Sequence, residues 1–221
     1  MTRLVRLIMG YGSGGLPSLF EFQRKENDKM STRCRIGIEG KDAIGSLYCH
    51  SDGYPEHTGV YLVKYYNTDK KVEQLFKLGD LSYIGKGYTE ELSRYSWNSP
   101  YQDDNIMYEI SRDVTRAYKD RGEEKIGVAI AENRKQFVEF TKECWGEYAY
   151  LYAYNKQGKR AWFYYDINAN KKYSDSKWVE LTEYYVDKIE LEQYARILKK
   201  NIEFLKRKDI QDSVVKILEE E

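Results

Sequence analysis

The segment Gly146 to Tyr154, GEYAYLYAY, constrains the fold of this chain more than any other stretch. Tyr148, Tyr150, Tyr152 and Tyr154 alternate with Ala149, Leu151 and Ala153. A strict period of two puts the two sets on opposite faces of a β-strand, whereas helical winding would scatter both. Asn155 to Arg160 reads as a turn, and Ala161 to Ile167 as the return strand of a hairpin. A helix packs most closely over small side chains, so the Ala/Leu face is the expected seat for the C-terminal helix. The tyrosines are then left partly exposed, or covered by the N-terminal half. Tyr148, Tyr150, Tyr152 and Tyr154 are therefore candidates for an interface or for stacking on nucleotide bases.

A second alternating pair lies earlier. In Arg33 to Glu39, Cys34, Ile36 and Ile38 fall on one side and Arg33, Arg35 and Gly37 on the other; in Ser46 to His50, Leu47 and Cys49 oppose Tyr48 and His50. Pairing Gly40 with Gly45 sets Ile38 against Leu47, Ile36 against Cys49 and Arg35 against His50. One face is then apolar and the other polar, as a half-buried hairpin requires.

Helices follow. Thr58 is expected to cap one beginning at Gly59, and Thr68 lies in a second start signal, Asn67-Thr68-Asp69. Tyr88 to Asp104 reads as a long polar, aromatic loop with room for a helical turn, and marks the best candidate boundary. Lys125 to Ala131 reads as a strand, Gln136 to Cys144 as a helix with Phe137 and Phe140 inward, and Trp178 to Val186 as a further strand. From Asp187 the period becomes helical, with Leu191, Tyr194, Ala195, Leu198, Ile202 and Leu205 on one stripe. Asp209 can cap a last helix. The expected class is α+β: an N-terminal hairpin followed by helices, a second antiparallel sheet, and C-terminal amphipathic helices. Residues 30–100 and 105–221 form the two regions, as separate units or as one continuous domain.

Residues 1–29 read differently. Arg24-Lys25-Glu26 can be encoded with an AAGGAG ribosome-binding sequence three codons before Met30, so the natural start is expected at Met30 and the preceding residues as a translated leader. Lys+Arg and Asp+Glu are both 36 over the whole sequence; the leader holds five bases and three acids, which leaves 31 against 33. Neither balance suits a generic nucleic-acid binder, which needs excess Lys and Arg. No apolar run approaches the ~20 residues that span a bilayer. Three cysteines without a CxxC pair point to a reduced, cytoplasmic setting. The 22 tyrosines against 7 phenylalanines fit either an AT-rich gene or a surface paved for binding.

Both histidines of the chain fall in Leu47 to Gly59, LYCHSDGYPEHTG. His50, Asp52 and His57 carry groups that serve as general bases or as metal ligands. Their spacing matches no standard metal motif, and Asp52-Gly53 with Pro55 also makes an ordinary turn. Arg33, Arg35, Tyr48 and His50 share a face, where a guanidinium fork suits phosphate or carboxylate; a charged edge strand is the plainer reading. Gly85-Lys86-Gly87 lacks a full phosphate-loop pattern.

MSTRCRIGIEG, then LYCHSDGYPEHTGVYLVKYY and KVEQLFKLGDLSYIG, resemble a family of uncharacterised bacteriophage and prophage proteins. These share the Met-Ser-Thr-Arg opening and a Tyr-x-His-x-Asp-Gly-Tyr-Pro-type motif. The resemblance covers Met30 to Gly85 and carries no site residues with it. It implies a phage or mobile-element accessory protein in the bacterial host cytoplasm. Two functions stay open. One is non-catalytic binding of a host defence protein or of a small anionic, nucleotide-like ligand at Arg33, Arg35, Tyr48, His50, Asp52 and His57. The other is a metal-dependent or His-based hydrolase or nuclease using His50, Asp52 and His57. Cofactors are unknown, and homo-oligomerisation through the C-terminal helices is open.

Overall fold

The computed structural model describes residues 31–98, 113–122, 128–169 and 177–206. The expected leader and the expected helix from Asp209 lie outside them. Among these described residues, eight strands form one mixed sheet with helices on both faces. The first two, β1 (Arg33–Glu39) and β2 (Ile44–Cys49), are the expected hairpin. The Gly40 N–H donates to the Ala43 carbonyl at 2.8 Å. That tight closure sets Ile36 opposite Leu47 and Cys34 opposite Cys49, two residues from the expected register. A slip of two keeps every side chain on its face, so the apolar and polar sides survive the correction.

On β1's other edge lies β6 (Gly146–Tyr154), parallel to it, with Ile36 beside Tyr150 and Gly37 beside Leu151. β7 (Arg160–Asp166) returns antiparallel as expected, and the two-residue β8 (Val179–Glu180) follows it. The second set of strands thus continues the hairpin's sheet instead of forming its own. β2's outer edge is shared: β3 (Leu81–Tyr83) pairs at Cys49, β5 (Ala129–Ala131) at Ile44 to Ser46, and β4 (Arg116–Ala117) extends β3. Neither neighbour serves the Tyr48 N–H. The Asp80 carboxylate accepts it at 2.7 Å, a side chain standing in for a missing strand.

One face of the sheet carries Cys34, Ile36, Leu47, Cys49, Tyr150, Tyr152 and Trp162. They pack against Leu62 of α1 (Val60–Tyr65), Val72 and Leu75 of α2 (Asp69–Phe76), and Leu78. Full burial of each large side chain here contributes roughly 1.5–3 kcal/mol. Buried polar tips are satisfied: the Tyr150 hydroxyl donates to the Gly53 carbonyl at 2.9 Å, and the Trp162 ring N–H to the Tyr66 carbonyl at 2.8 Å. The tyrosine row is therefore corrected at its centre. Tyr150 and Tyr152 are core residues, closed off by α1 and α2, and cannot form an interface; only Tyr154 is widely exposed.

The other face carries Ile44, Ala149, Leu151 and Ala153. As expected, a helix lies over these small side chains, but it is not the C-terminal one. It is α4 (Arg134–Glu143), inserting Phe137. α3 (Glu90–Asn98) occupies part of the expected loop. α5 runs from Glu183 to Leu205, capped by Thr182, whose hydroxyl accepts the Tyr185 N–H. It starts four residues before the expected helix, because that cap overrides the apolar run Trp178 to Val186. No described helix is long and apolar enough to cross a membrane.

Candidate functional site

α4 covers only part of its face of the sheet. Beside it Arg33, Arg35, Ser46 and Tyr48 project from β1 and β2, and His50 follows the end of β2. The Tyr48 hydroxyl lies 2.8 Å from His50 Nδ1, with the rings edge to face. The Arg33 guanidinium approaches the same hydroxyl. A guanidinium only donates, so the hydroxyl oxygen faces Arg33. In the tautomer in which the hydroxyl gives its proton to His50 Nδ1, the imidazole's own proton sits on Nε2, for which no described residue is an acceptor. Burial, and then the Arg33 charge, lower His50 below its ordinary value. Burial also pushes the Tyr48 hydroxyl up to about 12, with Arg33 opposing. Both groups are therefore neutral at pH 7, and Arg33 carries the charge.

The two arginines differ. Arg35 donates to the Ser46 hydroxyl at 3.2 Å and to the Ser46 carbonyl at 3.3 Å. Its charge lies near Asp80, whose pKa burial raises while the Tyr48 N–H and Arg35 hold it down. Arg35 is thus a strut with its counter-charge in place. Arg33 has no carboxylate within ion-pair distance among the described residues. Its guanidinium lies 5.6 Å from the ring centroid of Trp145.

Trp145 is a residue that sequence reasoning missed. It is 76% exposed and has φ of 61°, a left-handed conformation costing a non-glycine roughly 1–2 kcal/mol. The reversal after α4 asks for one left-handed residue, and Gly146 would ordinarily supply it. A Cβ at Gly146 would stand 2.6 Å from Thr141 Cγ2 and 2.8 Å from the Thr141 carbonyl oxygen. The glycine is spent on that close approach, and the turn falls on the tryptophan. The Cys-Trp-Gly triplet after an amphipathic helix was the available signal.

The remaining candidates go elsewhere. Asp52 has φ of 55°, and its carbonyl accepts the Thr58 hydroxyl at 2.8 Å. Thr58 is therefore a buried tie across the turn and not the expected helix cap. The chain instead enters α1 through a π-helical turn, Pro55–Gly59, with Pro55 at its start. His57 packs between Tyr61 and Tyr83, with ring centroids 4.2 and 4.9 Å away. Its Nε2 donates to the Ile84 carbonyl at 3.0 Å. His50 and His57 take separate partners, and among the described residues no three of the His, Cys, Asp and Glu side chains assemble as a metal site. Gly85-Lys86-Gly87 is held as structure: Lys86 Nζ pairs with Asp113 at 2.8 Å, and Gly87 bridges to Val114.

Among the described residues the arrangement thus offers a guanidinium without a carboxylate partner, a partly exposed imidazole and an exposed indole on a fixed sheet. Comparison with protein-family models, curated proteins and solved structures finds no match for this chain.

Proposed function

We propose that the ledge formed by Arg33, Tyr48, His50 and Trp145 binds a small anionic ligand with an aromatic part, a nucleotide being the fitting class, without catalysis. The observation that carries this is Arg33, a guanidinium with no carboxylate partner among the described residues, 5.6 Å from the ring centroid of an exposed tryptophan with a left-handed backbone. Guanidinium suits a phosphate, the His50 Nε2–H adds a second donor, and the indole face accepts a base. Arg35 and Ser46 brace the strands beneath. Tyr48 and His50 do form a hydroxyl–imidazole pair at 2.8 Å, but burial pushes the Tyr48 hydroxyl up to about 12, which makes it a poor nucleophile, so a reaction is not proposed. The resemblance of Met30 to Gly85 to phage proteins supplies the setting we propose for it: an accessory protein acting in a bacterial cytoplasm on a host nucleotide pool.

Titration of the full chain with nucleoside mono- and diphosphates, read by tryptophan fluorescence and calorimetry, tests the reading. Micromolar to sub-millimolar binding is expected, weakened at least tenfold by Arg33→Ala and by Trp145→Ala. Binding that is absent up to millimolar ligand, or indifferent to Arg33→Ala, would sink it.

A further inference from the structure

Arg33 beside Trp145 has a counterpart farther along the sheet. The Arg121 guanidinium lies 5.1 Å from the ring centroid of Trp97 in α3, and the Trp97 ring lies 5.7 Å from that of Tyr118. Arg121 is exposed; Trp97 and Tyr118 are half-buried. The two guanidinium–indole pairs belong to one row. Cys34 of β1 stands opposite Cys49 of β2, Cys49 opposite Leu81 of β3, and Leu81 opposite Ala117 of β4, a continuous line across four strands. All four side chains are fully buried on the face that α1 and α2 cover. In extended chain the adjoining residue takes the opposite face. Arg33 precedes Cys34, Tyr48 precedes Cys49 and Tyr118 follows Ala117, so the three project together on the ledge side. Asp80 ties the middle of the row: its carboxylate accepts the Tyr48 N–H at 2.7 Å, and its carbonyl accepts the Tyr118 N–H at 3.1 Å. Burial chiefly, with Tyr118 adding to it, pushes the Tyr48 hydroxyl up, so the two phenols are neighbours.

The row crosses three strand spacings, about 14 Å. Phosphates seated at its two ends cannot belong to one nucleoside diphosphate, whose phosphorus atoms share a single bridging oxygen. They suit phosphates separated by nucleosides. A guanidinium over an indole keeps its in-plane N–H fork for phosphate, and aromatic faces accept bases of any sequence, provided the strand is single. We infer that the row from Trp145 to Arg121 binds a short single-stranded oligonucleotide, with Arg33 and Arg121 on separate phosphates and bases stacked on the rings of the row. This rests on the nucleotide reading of the ledge and lengthens its ligand. Asp80 and Asp120 do not repel that ligand at the surface: both are buried, and the Asp120 carboxylate accepts the Tyr88 hydroxyl at 3.2 Å. The equal numbers of acids and bases in the whole chain disfavour a long, charge-driven track; a row with an arginine near each end is a short one.

Calorimetry of the full chain with mono-, di-, tetra- and octathymidylate tests this, with the matching uridylates telling DNA from RNA as the source. Affinity is expected to rise at least tenfold from the mono- to the tetranucleotide, as added stacked bases supply, and to level off by the octanucleotide. Arg121→Ala, an exposed substitution checked by circular dichroism, should remove most of that gain and leave mononucleotide affinity unchanged. It should also cut the slope of log K against log salt for the tetranucleotide by about 0.7, one phosphate contact on a single strand. Arg33→Ala should weaken every length. Mononucleotide binding that needs Arg33 but gains nothing with length, or a gain indifferent to Arg121→Ala, overturns the row and leaves the ledge standing. No binding at any length overturns both. Competition by oligoglutamate as effective as that of tetrathymidylate would mean that the row reads charge alone, and the oligonucleotide would be ruled out as its particular ligand.

Discussion

Trp145 holds a backbone conformation that a glycine would hold more cheaply, and it keeps an indole in water. Relief of left-handed strain is worth roughly 1–2 kcal/mol, and the exposed cation–π contact with Arg33 about 0.5–1 kcal/mol. Trp145→Gly is therefore expected to stabilise the fold by about 0.5–1 kcal/mol, seen as a raised Tm, while nucleotide binding is lost. A lowered Tm would mean that the indole is there for packing. His50 gives a pH signature. Its folded pKa lies below the ordinary 6.5, so below 6.5 the unfolded chain takes up a proton that the folded chain resists. Stability falls as pH drops from 6.5 toward the folded value and is unaffected above it. His50→Gln should flatten that limb in chemical denaturation at pH 5–7. A bound phosphate has the opposite sign: it favours imidazolium, so for a phosphodiester ligand, whose charge is fixed over this range, affinity should rise as pH is lowered from about 7.5 to about 5.5. The Tyr48 hydroxyl beside the imidazole, pushed up to about 12, stays protonated over that range.

At the scale of elements, the hairpins were legible because period two is a local property. β1, β2, β6 and β7 lie where the alternation puts them. The register of β1 with β2 was not legible, because it depends on how many residues the turn uses. Alternation fixes register only to the nearest two residues. Thr68 was read correctly, its hydroxyl accepting the Lys71 N–H. Thr58 has the same residue type but is buried, and tertiary contact took its hydroxyl for the Asp52 carbonyl. The turn that hydrogen bond closes allows a sharp test. A Cβ at Gly53 would stand 2.9 Å from the Arg33 carbonyl carbon, the Thr32 oxygen and Cys34 Cβ. Two of these are backbone and cannot swing aside. Gly53→Ala is expected to cost about 1–3 kcal/mol, as other forced overpackings do. It should also displace β1 enough to disturb the Arg33 ledge. An unchanged denaturation midpoint would show that the approach is looser than it looks.

Taken whole, the molecule sorts its sheet faces by what covers them. The face behind Tyr150 and Tyr152 is sealed by α1 and α2, and the face of Ala149 and Leu151 is sealed by α4 as far as α4 reaches. The ledge exists because α4 stops at Glu143, short of Arg33 and Tyr48. From sequence, Arg33, Tyr48 and His50 could be grouped because they share a strand face. Trp145 could not be added, because it reaches Arg33 only through the parallel ladder between β1 and β6, which joins residues 33–38 to residues 146–152. Long-range parallel pairing leaves no local mark. The same cause misplaced Tyr150 and Tyr152, whose cover comes from helices some eighty residues earlier.

That ladder also sets a clock. β1 and β2 can close as soon as both are made, and so can β6 and β7, but β1's inner neighbour lies more than a hundred residues downstream. Bringing two finished hairpins side by side should be the slow step of folding. Ile36→Val, at the join, is then expected to slow refolding in stopped-flow measurements, while Val186→Ala, on the late-docking α5, mainly speeds unfolding; an unchanged refolding rate for Ile36→Val would count against this order. At about 5–20 residues per second on the ribosome, β1 waits roughly 6–20 s with one edge unpaired before β6 is made. For that interval, the nascent chain offers any passing strand the place that β6 will later take.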